Sequence, residues 1–585
     1  MRGPSRRKFI ESMAAAGATA GLGISRGWAR DDRPDAATLG GSQFDLTIGS
    51  TQVNFTGRAR LATTVNGTLP GPILRFREGE TVTLNVRNTL AEHSSIHWHG
   101  LILPNAMDGV PGLTFRGIAP GETFTYRFPI RQSGTYWYHS HSGMQEQTGL
   151  YGPLILEPRR REPYSYQREF VVMLTDWTDE DPMTIVSNLK QQSDYYNYNR
   201  RTLGTFVEDT RRDGLSATVD DRLMWGKMRM SPTDIMDVTG ATYTFLMNGQ
   251  PPGANWTGLF RPGEKVRLRF INGSSMSTFD VRIPGLAMTV VQADGSDVEP
   301  IEIDEFRIGV AETYDVVVAP RGDAYTIFAQ AEDRSGYARG TLAMRAGLSA
   351  AVPAMDAVPK RSMVDMGMAM DHGGASHSGM DHMYMPGMDM KGMSHDMPGM
   401  NMSAKADVPT ENADRVDVAS LRGKPSVDNI AMEAKDRLGE PGDGLENNGR
   451  RVLTYRDLRS LAHRPAIRPQ RALEFHLTGN MERWIWGFNG KKFSEAGAIH
   501  VKLGEHIRFV LINDTMMEHP IHLHGYLFEL ENGNGDRLPL KHTVNVKPGE
   551  RMSFVFAADV PGYWAFHCHL MFHMEMGMFR TVLVS

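Results

Sequence analysis

Four histidine pairs of the form H-x-H are the residues in this chain best suited to chemistry. The pairs are His97/His99, His139/His141, His522/His524 and His567/His569. In an extended strand, residues i and i+2 point to the same face, so each pair presents two imidazoles to one side. Eight imidazoles brought together away from water without an ion would be costly. Because neutral imidazole suits copper, iron, zinc and nickel, the pairs predict a shared metal site.

The single cysteine of the 585-residue chain lies inside the fourth pair, in the stretch HCHLMFHMEMGM. On a strand, the Cys568 side chain must face away from His567 and His569, so it belongs to a separate site. The residues able to complete that site are His519, His573 and Met578. Two imidazoles, a thiolate and a weak axial thioether are the ligands of a blue-copper electron-transfer centre. The alternative is that Cys568 is a small buried hydrophobe and Met578 an ordinary core residue.

Three segments with one pattern identify the elements that position these residues. GETVTLNVRN (79–88), GEKVRLRFIN (263–272) and GEHIRFVLIN (504–513) each begin with Gly-Glu and reach Asn nine residues after the Gly. The apolar residues between alternate, which is typical of a half-buried strand. Three such strands predict three homologous β domains.

Helix signals are few, whereas Gly, Pro and alternating segments are frequent, so we predict an all-β fold of sandwich domains. The expected domains span 40–160, 165–346 and 450–585. Between the second and third, residues 347–449 form a polar stretch that we expect to be an irregular linker.

The first and third repeats share their histidines but not the thiol site. HWHG (97–100) aligns with HLHG (522–525), and HSH (139–141) aligns with HCH (567–569). The first-domain positions that match the four thiol-site residues are Ser94, Ser140, Gln145 and Leu150. In the middle domain, Val281 and Ile283 stand where the first histidine pair would fall. We therefore expect the cluster between the first and third domains, the thiol site in the third alone, and the middle domain as a spacer.

The stretches HWHG, YHSH, HPIHLHG and HCHLMFHMEMGM together resemble the copper-binding signatures of the multicopper oxidases. The resemblance covers the chain apart from its N-terminal segment and the polar stretch. It implies three cupredoxin-like Greek-key β-sandwiches with a Met-rich irregular insert before the third. It also implies four copper ions, one type 1, one type 2 and two type 3. The implied reaction couples one-electron oxidation of a donor to four-electron reduction of O₂ to water.

The resemblance also implies which residues would bind each ion, whereas strand geometry alone gives only the cluster. The type 1 ligands would be His519, Cys568, His573 and Met578. The type 2 ligands would be His97 and His522. The type 3 ligands would be His99, His139 and His569 on one ion, and His141, His524 and His567 on the other. Cys568, His567 and His569 would then connect the electron-accepting site to the site of O₂ reduction.

Oxygen reduction also consumes protons, and two acids are candidates to supply them. Asp108, in NAMDGVPG, falls where the family has an acid near the trinuclear site. We expect it to act as a proton relay or as a partner of a ligand; the alternative is a turn residue before Gly109. Glu575 is the second candidate. A copper-efflux relative has a glutamate one residue after its second type 1 histidine. This chain has Met574 at that position, and Glu575 follows it.

A methionine-rich segment at 363–402 contains thirteen of the 37 Met residues together with four His. Thioethers are soft ligands that select Cu(I), so the segment predicts capture of cuprous ion, with Met380, Met383 and Met388 as candidate ligands. The alternative is a flexible low-complexity linker. The candidates nearer the thiol site are Met516, Met517 and Asp514. Relatives that oxidise cuprous ion have a Met in the slot of Met517 beside an acid, and here that acid's slot is Thr515.

The N-terminal segment SRRKFIESMAAAGATAGLGISRGWARDD predicts a twin-arginine export signal over residues 1–30. The alternative is a basic start followed by a short core helix. A twin-arginine signal implies passage through the twin-arginine export machinery into a bacterial periplasm. One cysteine excludes a disulfide within the chain, and a net charge of −5 gives no basic field for nucleic acid.

These features favour a periplasmic oxidase that converts Cu(I) to Cu(II) in copper tolerance, with O₂ as acceptor. We expect a monomer that could receive copper from periplasmic carriers. One alternative is a laccase that takes electrons from small phenolic donors, since an exposed imidazole edge at the type 1 site would accept electrons from many donors. Another is a copper-storage protein in which catalysis is incidental.

Overall fold

The computed structural model describes residues 37–228, 230–363, 365–367 and 408–585. It is 39% strand and 11% helix, which confirms the predicted all-β fold class. The predicted signal at 1–30 and residues 368–402 of the Met-rich segment lie outside the described residues. Among the helices of the described part, none is long and apolar enough to cross a membrane.

The first sandwich contains nine strands. They are β1 (Thr38–Gly40), β2 (Gln43–Val53), β3 (Arg60–Val65), β4 (Ile73–Arg77), β5 (Thr81–Asn88), β6 (His97–His99), β7 (Thr123–Pro129), β8 (Gly134–His139) and β9 (Tyr151–Glu157). One sheet has the order β3-β2-β5-β7 and the other β1-β4-β9-β8-β6. Val82, Leu84 and Val86 of β5 are buried, as the alternating pattern predicts, and they form part of the core between the two sheets.

The second sandwich contains eleven strands and, after its first strand, three helices. They are β10 (Arg168–Trp177), α1 (Pro182–Gln191), α2 (Leu203–Asp213), α3 (Leu215–Met228), β11 (Thr244–Met247), β12 (Trp256–Leu259), β13 (Val266–Asn272), β14 (Phe279–Arg282), β15 (Met288–Ala293), β16 (Ser296–Ile303), β17 (Glu305–Ile308), β18 (Thr313–Val318), β19 (Ala324–Ala331) and β20 (Tyr337–Ala343). The sheets run β11-β10-β13-β18-β15-β16 and β12-β20-β19-β14-β17. Asp181 caps α1 by accepting from the Thr184 amide, and Pro182 occupies its first position, both common at helix starts.

The remaining elements follow in the C-terminal part of the chain. They are β21 (Thr410–Asn412), β22 (Val452–Leu453), β23 (Arg471–Asn480), β24 (Ile485–Phe488), β25 (Ile499–Val501), β26 (His506–Asn513), β27 (His519–Leu523), β28 (Phe528–Leu530), β29 (Leu540–Lys541), β30 (Thr543–Val546), β31 (Arg551–Ala557), β32 (Gly562–Cys568), α4 (Met571–Glu575) and β33 (Phe579–Val584). The third sandwich has sheets β21-β23-β26-β31-β28-β29, with β24 on β23, and β25-β33-β32-β27-β30.

The described parts of the expected linker are packed against the sandwiches. Strand β21 lies within the expected linker and pairs in parallel with β23, so it is part of a sheet of the third sandwich. Strand β22 pairs in parallel with β17 of the second sandwich. Leu421, Val427 and Ile430 form a small buried cluster of their own. Strand pairing, ion pairs such as Arg580–Asp414 and a small apolar cluster together fix the C-terminal part of this stretch.

The asparagine that ends each repeat makes the same contacts in all three sandwiches. The Asn88 side-chain amide donates to the carbonyls of Glu92 and Ile118. Asn272 donates to Ser277 and Ile308. Asn513 donates to Met517 and Val546. The asparagine therefore ties the end of its strand to two neighbouring segments, which satisfies buried carbonyl groups in each domain.

Strand β13 joins the first and second sandwiches through buried charges. Arg267 and Arg269 are both buried, although alternation predicts that they face water. The Asp315 carboxylate accepts from Arg267 Nε at 2.9 Å and from Arg269 Nη1 at 3.1 Å. The same oxygen accepts from the Thr135 hydroxyl of β8 at 2.9 Å. A contact between domains therefore explains why the second face of this strand is charged and still buried.

We predict that Asp315→Ala lowers the free energy of unfolding by about 3–5 kcal/mol, because it leaves two buried arginines without their shared partner. Denaturant titration of the purified chain measures the effect. Glu157→Ala is the control, since the Glu157 side chain is 49% exposed in its ion pair with Arg75 and its loss should cost less than about 1 kcal/mol. Equal losses in the two variants would contradict the assigned role of Asp315.

Candidate metal centres

The eight imidazoles of the H-x-H pairs lie together where the first and third sandwiches meet. Strand β6 pairs with β8 so that His97 is opposite His139. Strand β27 pairs with β32 so that His522 is opposite His567. Each sandwich therefore contributes two adjacent strands, and each pair of strands turns its histidines toward the other sandwich.

The ring nitrogens approach to distances that suit shared ions. His524 Nε2 lies 3.0 Å from His567 Nε2, and His139 Nε2 lies 3.3 Å from His569 Nε2. Three groups have ligand atoms within 4.8 Å of one another. They are His97/His99/His522, His97/His141/His524 and His99/His139/His569. Every H-x-H histidine except His567 belongs to such a group, and His567 joins through His524.

The cluster fits metal ions because several of its buried nitrogens have no other partner. Among the described residues, four such atoms lack a hydrogen bond: His97 Nε2, His99 Nδ1, His141 Nε2 and His522 Nε2. Burial lowers the pKa of His99 and His522 well below the ordinary value, and neighbouring imidazoles add to the effect. The His99 and His522 rings are therefore neutral, and a neutral ring offers a lone pair to a metal ion.

Asp108 joins the two halves of the cluster. Its backbone carbonyl accepts from His97 Nδ1 at 2.8 Å, and its Oδ2 lies 2.9 Å from His524 Nδ1. Partners of this kind fix the tautomer and orientation of metal-binding histidines. Gly109 follows with φ +86°, and a Cβ there would lie 1.9 Å from the Ile96 carbonyl oxygen. Glycine is therefore required for the turn that brings Asp108 to the histidines.

The thiol site lies on the opposite face of β32. Cys568 Sγ is 3.5 Å from His519 Nδ1 and 3.8 Å from His573 Nδ1. The two Nδ1 atoms are 3.2 Å apart, and the three side chains are fully buried. Burial raises the pKa of the Cys568 thiol. Met578 is also buried, and its carbonyl accepts from the Cys568 amide at 3.1 Å.

The far nitrogens of both thiol-site imidazoles are covered by polar groups. Thr515 Oγ1 lies 2.7 Å from His519 Nε2, and Asp237 Oδ2 lies 2.8 Å from His573 Nε2. Trp486 stacks on the His573 ring with centroids 3.8 Å apart. The expectation of an exposed imidazole edge is therefore wrong, because the second sandwich supplies Asp237 directly over it.

The equivalent positions in the first sandwich form a hydrogen-bonded replacement for the thiol site. Gln145 Oε1 accepts from Ser94 Oγ at 2.6 Å and from Ser140 Oγ at 3.0 Å. Leu150 is fully buried beside them. Ser94, Ser140 and Gln145, which align with His519, Cys568 and His573, thus also lie together. They hydrogen-bond to one another and offer no soft metal ligand.

The other predicted site residues do not form one site. Met516 and Met517 are buried in the core of the third sandwich. Asp514 Oδ2 lies 2.7 Å from His476 Nδ1, so this carboxylate is engaged elsewhere. Glu575 is exposed at the end of α4 and does not share the buried surroundings of the histidines, which argues against an internal role. Met380, Met383 and Met388 lie outside the described residues.

Sequence reasoning missed several residues that contact the predicted copper ligands, three of them ionisable. Glu146 Oε2 lies 2.6 Å from His139 Nδ1, and His542 Nδ1 lies 3.2 Å from His99 Nε2. Asp237 is the third. The internal repeat could have indicated Glu146, because it occupies in the first domain the slot of Met574 in the third. Asp237 comes from a domain without histidine pairs, and no local pattern indicates it.

Comparison with known proteins agrees with this arrangement. Family models described as multicopper oxidase match residues 47–161, 168–347 and 466–585. The chain belongs to the multicopper oxidase family. This family oxidises substrates with reduction of O₂ and binds four copper ions of types 1, 2 and 3.

Individual multicopper oxidases match over nearly the whole chain. Copper resistance protein A of Escherichia coli is 55% identical over 609 residues, with 99% of each chain covered. The copper resistance protein A homolog of Pseudomonas syringae pv. tomato is 56% identical over 588 residues, again with 99% of each covered. The crystal structure of Fet3p, a multicopper oxidase that functions in iron import, superposes with a TM-score of 0.62 at 19% identity, covering 94% of this chain and 91% of Fet3p. The last match shows the shared cupredoxin-like fold.

The pair His476–Asp514 generates a prediction of pH dependence. Burial alone would lower the pKa of His476, but Asp514 and Glu474 outweigh it and raise the pKa to about 9. A raised pKa stabilises the fold fully below about pH 6.5, and the contribution is lost as the pH rises through about 9. We expect the wild type to lose about 1–3 kcal/mol more over this range than Asp514→Asn. Denaturant titration at pH 6, 7.5 and 9 measures the difference, and parallel curves for the two proteins would contradict the assignment.

Proposed function

We propose that this multicopper oxidase oxidises Cu(I) to Cu(II) in the periplasm and thereby contributes to copper tolerance. Four such oxidations and four protons convert one O₂ into two waters. The names of the relatives that are 55% and 56% identical support copper tolerance. The Met-rich composition of 363–402 supports Cu(I) as the donor, because thioethers select that ion.

We further propose that residues 1–30 are a twin-arginine signal and that the exported chain acts as a monomer. Periplasmic copper carriers are the proposed source of the cuprous ion. The order of a basic start, a mild apolar run and a small-residue exit in the sequence supports export.

We assign the ligands as the family resemblance implies. Type 1 copper takes His519, Cys568, His573 and Met578. Type 2 copper takes His97 and His522. The type 3 pair takes His99, His139 and His569 on one ion and His141, His524 and His567 on the other. The groups His99/His139/His569 and His519/Cys568/His573, whose ligand atoms lie within 4.8 Å of one another, support two of these sets, and the 3.0 Å between His524 Nε2 and His567 Nε2 supports a third.

The bound copper ions supply one-electron acceptance at the thiol site and storage of the electrons for O₂ at the imidazole cluster. The protein supplies the connection between the two sites. Cys568 belongs to one ligand set, and its backbone carbonyl accepts from His567 Nδ1, in the other set, at 2.9 Å. The path from thiol to cluster therefore crosses one residue and one hydrogen bond.

Asp108 is the acid that we assign to proton delivery. Its Oδ2 lies 2.9 Å from His524 Nδ1, and its buried Oδ1 lies 3.3 Å from His97 Nδ1. A buried carboxylate in contact with histidines of both sandwiches can pass a proton toward the cluster. Glu575 is less suited to this role because it is exposed.

The covered type 1 site favours a small cationic donor over a phenol. His573 is fully buried beneath Asp237, so an aromatic ring has no exposed imidazole edge to contact. The Asp237 carboxylate over this ring would attract a cation and repel the phenolate form. The Arg361 guanidinium, which precedes the Met-rich segment, lies 3.9 Å from Met517 Sδ. The segment therefore starts close to a thioether that lies two residues before His519.

One observation carries the proposal: Cys568 lies against His519 and His573 while both of its sequence neighbours lie in the imidazole cluster. We predict that Cys568→Ser abolishes the blue absorption and all oxidase activity, because a hydroxyl cannot replace the thiolate. Absorption spectra and O₂ consumption with Cu(I) measure both. Ser140→Ala, at the equivalent first-domain position, is the matched control and should keep its colour. Sustained turnover by the Cys568→Ser protein would refute the connection between the sites.

Deleting residues 368–402 separates cuprous oxidation from copper storage. The deletion leaves the buried Met366 and Gly367 in place and removes eleven Met residues. We expect kcat/KM for Cu(I) to fall about tenfold, equivalent to about 1.4 kcal/mol, while oxidation of ferrocyanide continues. A length-preserving variant with Met380, Met383 and Met388 changed to Leu should shift in the same direction. A storage protein would instead lose bound copper in proportion to the Met residues removed and keep its cuprous turnover.

A further inference from the structure

The hairpin between β15 and β16 brings the middle domain to the junction of all three sandwiches. Ala293 pairs with Ser296, so the turn consists of Asp294 and Gly295 alone. Their φ angles are +46° and +72°. Two positive φ values identify a type I′ turn, for which Asp-Gly is a favoured sequence. The turn is therefore short and rigid, and it points away from the sandwich that carries it.

Gly295 contacts the first sandwich at the strand that leads to His139. A Cβ added to Gly295 would lie 2.2 Å from the Tyr136 ring of β8. A Cβ added to Gly134 would lie 2.2 Å from the Gly295 carbonyl oxygen. Two glycines thus permit a backbone approach that no larger residue would allow.

Asp294 contacts the third sandwich at the start of β30. Its Oδ2 accepts from the backbone amides of His542 at 3.1 Å and Thr543 at 3.2 Å. The same oxygen lies 3.1 Å from the fully buried Lys541 ammonium, which also pairs with Glu312 at 2.9 Å. The other oxygen accepts from the Thr313 amide within the middle domain. Asp294 is therefore fixed on both sides, with all of these contacts excluded from water.

The two residues that Asp294 fixes contact the metal-binding histidines. Thr543 Oγ1 lies 3.3 Å from His99 Nε2 and 3.3 Å from His522 Nδ1. The His542 carbonyl accepts from His522 Nδ1 at 2.7 Å. The His542 ring nitrogen Nδ1 lies 3.2 Å from His99 Nε2. The opposite nitrogens, His99 Nδ1 and His522 Nε2, are two of the partnerless atoms of the cluster. Holding one nitrogen of a ring in this way directs the other toward the metal.

We propose that Asp294, in a domain without copper ligands, is a positioning residue for the trinuclear site. By fixing the His542 and Thr543 amides, it orients His99 from the first sandwich and His522 from the third toward the type 2 and type 3 ions. This inference rests on the proposed ligand assignment. The middle domain is then part of the apparatus that binds copper, and the expectation of a simple spacer is replaced by a structural role at the site.

Asp294→Asn tests the proposal in the full-length chain, because Asn tolerates the positive φ of this turn but cannot accept hydrogen bonds through both terminal atoms. We expect copper affinity at the type 2 position to fall about 10–100-fold, the usual cost of losing such a partner. Titration with Cu(II) and the type 2 electron paramagnetic resonance signal measure this loss. The blue type 1 absorption should remain, because the hairpin contacts given above do not include Cys568, His519 or His573.

Glu312→Gln is the matched control, since it also removes a carboxylate charge from Lys541 but does not touch the His542 or Thr543 amides. It should keep the type 2 signal. If Asp294→Asn does not fold, Thr543→Val tests the same positioning of the histidines, because it removes only the hydroxyl between His99 and His522. We expect it to weaken type 2 binding in the same direction.

Type 2 affinity within twofold of wild type in both Asp294→Asn and Thr543→Val would overturn the proposal. An equal loss of type 1 and type 2 copper would also overturn it, because it would indicate a general loss of structure. The wild-type protein tests the ligand assignment separately. If wild type lacked a type 2 signal, the proposed function would fail, whereas a normal wild type beside an unaffected Asp294→Asn would refute only the positioning role.

Discussion

The register between β27 and β32 is the constraint on which both candidate metal centres depend. Ile521 is opposite Cys568 and His522 is opposite His567. Since side chains alternate across a strand, this register puts His519 and Cys568 on one face and the cluster histidines on the other. A slip of one residue would exchange the faces and destroy both ligand sets together. The separation of the two sites is thus a property of strand pairing, and the metal ions need only bind where it places the ligands.

Local patterns in the sequence predicted much of this arrangement. The period-2 pattern of β5, the repeat ending in Asn and the H-x-H pairs each depend on residues close together in the chain. The repeat alignment even located the Ser94, Ser140 and Gln145 group, which the structure brings together by hydrogen bonds. These inferences succeeded because strand alternation depends on residues close together in the chain. In addition, the first and third domains can be aligned with each other, which shows which ligands only one of them has.

Contacts between domains could not be predicted in the same way. Arg267 and Arg269 alternate as if half-exposed, yet a facing sandwich covers them and Asp315 pairs with both. Asp237 lies in a domain without histidine pairs, and only folding brings it into contact with His573, which is 336 residues later in the chain. The acids considered from sequence were those near a ligand motif in the chain. Glu575 met that condition and is exposed, while Glu146 was overlooked and contacts His139. Proximity along the chain is a poor guide to buried electrostatics where three domains meet.

The serine and glutamine group in the first sandwich has a consequence for the symmetry of the metal centres. The position that mirrors Cys568 relative to the imidazole cluster is Ser140, whose hydroxyl is engaged by Gln145. Neither side chain is a soft metal ligand, so this position does not offer the ligands of a second blue-copper centre. Among the described residues, the thiol site therefore has no counterpart on the opposite side of the imidazole cluster. The two related domains thus flank the imidazole cluster with a soft ligand set on one side and a hydrogen-bonded polar group on the other.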